Sequence, residues 1–191
     1  MNSKSVKHTN LKNKIHSGKV RDIYEIDEDK LLFVATDRIS AFDVIMEQTV
    51  PGKGIVLNNL SSFWFDFFNN YNTHFISKAQ DFDFSNTEYD EIFDVEILKR
   101  STVVKKAKRI DMECVVRGYI TGSAWNEYKS SSSVNFKPIM DNLLEAEKFK
   151  TPIFTPSTKA EEGHDEALSE KEGKNLVGSE IYSKLEYLSI D

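Results

Sequence analysis

The stretch Glu113-Cys-Val-Val-Arg-Gly-Tyr-Ile-Thr-Gly-Ser-Ala-Trp-Asn-Glu-Tyr128 reads as a strand, a tight Thr-Gly-Ser turn and the start of a helix. Side chains alternate across a strand, so Glu113, Val115, Arg117 and Tyr119 share one face, and Cys114, Val116 and Ile120 share the other. The second set is apolar and predicts a core face. Glu113 and Arg117 stand about 13 Å apart along the strand, neighbours on a face rather than a direct pair. Gly122 and Ser123 then open a helix that continues through Tyr128. Free N–H groups at a helix start, a serine hydroxyl and an arginine on the preceding strand together suit an anion. The alternative is an Arg117 engaged in a surface ion pair and a Ser123 that only caps the helix.

Working back from this stretch, Ser101–Lys108 and Met112–Ile120 read as two strands joined at Arg109-Ile-Asp111. Lys19–Ile26 and Leu31–Ala35 form a hairpin across the polar turn Asp27–Lys30. Thr36–Asp43 reads as an irregular polar loop, and Pro51–Gly54 as a turn. Val56, Leu60, Phe63, Trp64, Phe67, Phe68 and Tyr71 recur at helical spacing and predict an amphipathic helix whose aromatic stripe is a core face. The alternative for that stripe is the wall of a cofactor site. The acidic, aromatic segment Asp81–Asp94 matches no single element.

Working forward, Thr151–His164 is rich in turn residues. Ser169-Glu-Lys-Glu172 is a capping box, and Val177, Ile181, Leu185 and Leu188 predict one continuous helix after it. That helix is in progress at Asp191 with no Gly, Asn or Pro stop before it, so the reading expects a longer parent sequence.

The 191 residues suffice for one large or two small domains. A net charge of −6 disfavours non-specific nucleic-acid binding while leaving room for a local basic pocket. Cys114 is the only cysteine, so no intrachain disulfide is possible. Met1–Asn13 is polar, with no apolar signal core, and no apolar run reaches membrane length; a cytoplasmic protein without membrane contact is expected.

Three more clusters carry chemistry. Gly18-Lys-Val-Arg-Asp-Ile-Tyr24 puts a glycine before basic residues at a hairpin start, where it could cover nucleotide phosphates. It lacks the second glycine and Lys-Ser/Thr of a Walker A loop, and a surface strand with snorkelling Lys19 and Arg21 is the alternative. Thr36-Asp-Arg-Ile-Ser-Ala-Phe-Asp43 gathers two acids, an arginine and a serine directly after an apolar strand; a self-bonded turn at Asp37 is the competing reading. Thr155-Pro-Ser-Thr-Lys159 leads into Glu161, Glu162, Gly163, His164, Asp165 and Glu166, which could bind phosphate or carboxylate or be a solvated charge run. His164 lacks the ligand spacing of a metal site, and no Gly-x-Ser-x-Gly elbow is present.

In this order the segments resemble the SAICAR synthetase family, in its longer form. The resemblance runs through Gly18–Tyr24, Thr36–Asp43, Pro51–Gly54, Glu113–Trp125, Pro152–Ala160 and Gly163–Glu166, nearly the whole chain. It implies an ATP-dependent amide ligase of purine biosynthesis, using ATP and Mg²⁺. Such an enzyme activates the carboxylate of carboxyaminoimidazole ribonucleotide as an acyl phosphate, which the amine of L-aspartate displaces. It implies an α+β fold: an N-terminal antiparallel sheet domain, residues 1–108, closing over ATP, and the first part of a mixed substrate domain, residues 109–191. Gly18, Lys19 and Arg21 would lie over the ATP phosphates, Lys105, Lys106 and Ala107 beside adenine, and Glu113 toward the nucleotide ribose. Arg117, Gly122 and Ser123 would hold the ribonucleotide. Arg38, Ser40 and Asp43 would line the substrate pocket, with Lys159, His164 and Asp165 as further substrate contacts.

Two departures from the family pattern stand out. Ala167 occupies the place of the usual asparagine after Gly-His-Asp-Glu. The family's Asp-x-Lys-x-Glu-Phe-Gly and Pro-Asp-Ser-Ser-Arg segments, which bring metal-binding acid and further arginine, do not occur in these residues, so no metal ligand is assigned here. The alternatives to catalysis are a non-catalytic nucleotide-binding fragment and a small-molecule kinase.

Overall fold

The computed structural model describes residues 5–42, 44–89, 94–159 and 165–191. The chain divides into two compact units, 1–108 and 109–191.

In the first unit, β1 (Lys14–Ser17), β2 (Arg21–Glu25) and β3 (Lys30–Ala35) are followed by a small hairpin, β4 (Arg38–Ala41) and β5 (Val44–Thr49). Then come α1 (Lys53–Phe67), β6 (Phe75–Lys78), a 3₁₀ turn at Ala79–Asp81, the short α2 (Val95–Leu98) and β7 (Ser101–Lys105). The main sheet is antiparallel, in the order β1-β2-β3-β7-β6. The β2–β3 hairpin forms as its alternation predicts, with Leu32 opposite Tyr24 and Val103. Tyr24, Leu32, Val34 and Val103 are fully buried on one face, where the unassigned segment contributes Phe84 and Tyr89. Burying such side chains supplies roughly 1.5–3 kcal/mol each, the main cohesive term of the unit.

Two expectations change here. Thr36–Asp43 is not an irregular loop: Arg38–Ala41 pairs with β5. The aromatic stripe of α1 is not its core face. The helix turns Gly54, Asn58 and Ser62 inward, while Val56, Phe63, Trp64 and Phe67 are 65, 55, 46 and 63% exposed. Close approach explains it. A Cβ on Gly54 would lie 2.2 Å from the Ala35 carbonyl oxygen, so the helix backbone touches the strand and only small residues fit that side. Gly54 N–H donates to Asp37 Oδ1 (2.9 Å), and Asn58 Nδ2 to the Ser101 carbonyl (3.3 Å). The outer rings pack on one another, Trp64 against Phe68 at 5.8 Å.

The second unit holds β8 (Met112–Glu113), β9 (Val116–Tyr119), α3 (Gly122–Ser131), β10 (Ser133–Val134), β11 (Lys137–Pro138), β12 (Lys148–Phe154), β13 (Ser157–Thr158), α4 (Glu170–Val177) and α5 (Ser179–Ile190). The expected single strand Met112–Ile120 is interrupted at Cys114-Val115: β8 pairs with β13, and β9 with β12. The turn-rich segment from Thr151 begins instead inside β12. Pro152 sits there because β12 pairs on one side only, leaving its missing N–H without a ladder to break. The capping box at Ser169 and Glu172 is present in both directions. The helix beyond it breaks at Gly178 (φ 85°, ψ 149°), outside the helical region, and restarts as α5. Val177 and Leu185 pack on Met112, Phe154, Leu168 and Tyr182, whereas Ile181 and Leu188 are exposed. Among the described residues no helix is long and apolar enough to cross a membrane.

Candidate functional site

In the second unit, a cavity of about 270 Å³ opens beside β9 and the start of α3. Glu113, Val115 and Arg117 line it from one face of the interrupted strand, as their alternation predicts. Ile120 points the other way and is fully buried. Arg117 Nη2 donates to Ser123 Oγ at 3.1 Å, so strand and helix are joined at the mouth of the cavity. Gly122 has φ +57°, a conformation that favours glycine, and this kink turns the chain from strand into helix. The N-cap Thr121 makes no side-chain cap bond, and Ser123 is not the cap. The serine hydroxyl faces the arginine at the positive end of a ten-residue helix.

The far wall comes from β12–β13 and the turn after β10. Thr155 is fixed to Val115 through both N–H and hydroxyl. Glu127 accepts from Ser133 Oγ and from the N–H groups of Asn135 and Phe136 at 2.9–3.0 Å. Burial pushes its carboxyl up, but those bonds and the Arg117 charge outweigh it and hold the group below its ordinary value. Glu127 is therefore ionised at neutral pH and committed to the turn. Asp165 and Ala167 also line the cavity, Ala167 bridging Ser157. Lys159 Nζ lies 3.3 Å from Glu113 Oε1, an exposed pair at the edge.

The first unit has a second cavity, about 180 Å³, between α1 and the sheet face that carries Arg21, Phe33 and Thr102. Its polar lining includes Arg21, Lys53, Asn58, Ser61 and His74. Burial, followed by the Arg21 charge, lowers the His74 imidazole below its ordinary value, so it is neutral at pH 7.

Several expected site residues fall elsewhere. Arg38 lines neither cavity. It is 2% exposed, pairs with Asp22 at 2.8 Å, and donates to the carbonyls of Lys7, Gly18, Lys19 and Arg21. A guanidinium with that many acceptors inside the fold is an anchor for the Gly18 loop rather than a ligand contact. Asp37 is likewise spent, on Arg100 and the N–H groups of Val6 and Gly54. Gly18 closes the loop through its N–H to the Arg21 carbonyl. Lys19, at the exposed tip, and the half-buried Ser40 line neither cavity. The Lys105 and Lys106 N–H groups are taken by His74 and Asp29, and Lys106 Nζ pairs with Glu25, so neither N–H is open to a base. Ala107 is exposed just beyond. Asp43, Gly163 and His164 lie outside the described residues.

Sequence reasoning missed Lys53, Asn58, Ser61 and His74 in the first unit and Glu127, Asn135 and Thr155 in the second. The small and polar series Gly54, Asn58, Ser61, Ser62 carried a usable signal: it repeats at helical spacing opposite the aromatic stripe. His74 has no neighbouring motif to mark it.

The family model described as SAICAR synthetase matches residues 14–191. A phosphoribosylaminoimidazole-succinocarboxamide synthase from Cyberlindnera jadinii is 46% identical over 193 aligned positions, covering 98% of this chain and 64% of the relative. The SAICAR synthase from Saccharomyces cerevisiae complexed with SAICAR superposes with a TM-score of 0.87 at 43% identity, covering 97% of this chain and 63% of that one. A type-2 SAICAR synthetase in complex with ADP shares the fold, with a TM-score of 0.69 at 23% identity, over 92% of this chain and 63% of that one. The chain thus spans a little under two thirds of the length of these relatives, and across that span it belongs to the SAICAR synthetase family.

Proposed function

We propose that this chain carries the nucleotide-covering and ribonucleotide-holding parts of an ATP-dependent ligase that makes a C–N bond in purine biosynthesis. The substrates on this reading are ATP, carboxyaminoimidazole ribonucleotide and L-aspartate. The observation that supports it most is the Arg117–Ser123 pair at the start of α3, beside a cavity lined by Glu113, in a chain of this family. Arg117 supplies charge, Ser123 a hydroxyl and the helix its unpaired N–H groups, the set that receives a ribonucleotide phosphate. The yeast relative's SAICAR complex is consistent with a ligand of that class.

The chemistry follows from the substrates. A carboxylate is a poor electrophile. Transfer of the γ-phosphoryl group to one of its oxygens releases ADP and leaves an acyl phosphate. The aspartate amine attacks the carbonyl carbon, the C–O bond to phosphate breaks, and the nitrogen loses a proton. In this reading the Gly18 loop, held from below by Arg38, covers the nucleotide, with Lys19 and Arg21 toward its phosphates. Among the described residues no group of three His, Cys, Asp or Glu side chains stands together to hold a divalent cation, so no step is routed through Mg²⁺. The deciding assay is phosphate release. It should require ATP, the carboxylated ribonucleotide and aspartate together, and release independent of aspartate would replace the ligase reading with a kinase.

A further inference from the structure

The cavity under α1 has an unbalanced charge. Arg21 and Lys53 both line it, and among the described residues no carboxylate does. Neither cation forms an ion pair with a described residue. The nearest acid, Asp37, already accepts from Arg100, Val6 and Gly54. Burial pulls the Lys53 ammonium below its ordinary value, Asp37 opposes this, and the charges of Arg21 and Arg38 add to the depression. Two like charges are thus held near one another in a partly desolvated place, an arrangement that an anion relieves.

Lys53 is also firmly placed. Gly52 takes a left-handed conformation (φ 81°) to start α1, and Gly54 locks the first turn against Ala35 and Asp37. At about 180 Å³ the cavity is smaller than the roughly 300–1,000 Å³ of pockets that enclose whole drug-sized ligands. It suits one compact polyanionic group, and the hydroxyl and amide of Ser61 and Asn58 add donors for its oxygens.

We propose that Lys53 and Arg21 seat a phosphoryl group in this cavity, making Lys53 a binding residue beyond those of the Gly18 loop. The group is the terminal phosphoryl of a nucleoside triphosphate or free orthophosphate. The first source rests on the nucleotide reading above; the second does not.

Calorimetric titration of the 191-residue chain and of Lys53→Met with ADP, a non-hydrolysable ATP analogue and orthophosphate tests this. Lys53→Met is expected to lose about ten- to hundredfold in affinity for the analogue and less than threefold for ADP, as befits a lost charge-assisted contact to one phosphoryl group. Lys53→Arg should recover part of the loss, and Arg21→Met should reproduce it. A circular-dichroism melt of each variant identifies any that has failed to fold, and the pair of substitutions keeps the test open if one does. Orthophosphate that competes with the analogue but not with ADP supports the terminal phosphoryl as occupant. Orthophosphate binding that depends on Lys53, with the analogue unaffected, assigns the cavity to free phosphate. If neither nucleotide binds the wild-type chain, the nucleotide reading falls while the orthophosphate arm still decides the cavity. Equal loss for ADP and analogue, or no loss for any ligand in folded variants, overturns the proposal.

Discussion

Replacing Arg38 by methionine should cripple the first unit. The side chain is buried and ion-paired with Asp22 at 2.8 Å, and its other donors hold Lys7, Gly18, Lys19 and Arg21 carbonyls. Methionine fills much of the volume but leaves Asp22 buried with only Thr9, Ser17 and, at 3.7 Å, Lys14 around it. Breaking a buried pair from one side costs about 3–5 kcal/mol. The carbonyls of the exposed loop regain water, so they add little. A total near 5 kcal/mol, at a urea slope of about 1.5 kcal/mol/M, lowers the unfolding midpoint by about 3 M. Arg38→Lys keeps the charge but not the fork, and should lose roughly half as much.

Acid adds a second reading of the same pair. Burial pushes the Asp22 carboxyl up, but hydrogen bonds from Arg38, Thr9 and Ser17 and the Arg38 charge outweigh it and hold the group far below the usual carboxylate range. Its folded pKa is depressed, so the stability it contributes is present above the ordinary aspartate value of about 3.9 and is lost as pH falls through the lower folded value. In Arg38→Met the two Arg38 contributions vanish, so the folded value rises toward the unfolded one and the acid-dependent loss of stability below about pH 3.9 shrinks. Urea melts at several pH values measure both effects. A variant within about 1 kcal/mol of wild type, with an unmoved acid limb, would refute the anchor.

Other substitutions separate the remaining parts of the argument. Gly54→Ala drives a methyl into the Ala35 carbonyl and against the buried Arg100 guanidinium, and should cost about 3 kcal/mol in chemical denaturation. Phe63→Ser on the outer face of α1 should change stability by less than about 0.5 kcal/mol and raise solubility in a precipitation assay; a large loss would return that stripe to the core. Ser169→Ala removes the hydroxyl that accepts from the Glu172 N–H, while the Ser169 N–H keeps its bond to the Glu172 carboxylate, and should cost about 1 kcal/mol, read from the urea midpoint. Ser123→Ala should weaken ribonucleotide binding about tenfold in calorimetry while leaving the melt unchanged, because its hydroxyl meets Arg117 rather than the helix backbone.

What could be read in the sequence divides along a physical line. Alternation gave the β2–β3 hairpin and the face shared by Glu113, Val115 and Arg117, because a half-buried strand writes its burial directly into side-chain polarity. The capping box was legible for the same reason, being local. The inward face of α1 was not. Polarity marks the side of a helix that buries area, whereas Gly54, Asn58 and Ser62 mark a side that buries backbone, where size decides before hydrophobicity does. Arg38 was misread through a related ambiguity. A ligand phosphate and a cluster of main-chain carbonyls call for the same fork of donors, and only the fold shows which acceptors arrived. The two misreadings meet in one place. Arg38 anchors the Gly18–Arg21 loop, Gly54 sets the start of α1, and between loop and helix they leave Arg21 and Lys53 facing a cavity that no carboxylate lines among the described residues. The charges that the fold itself neutralises are structural here, and the functional candidates are the cations it leaves unneutralised.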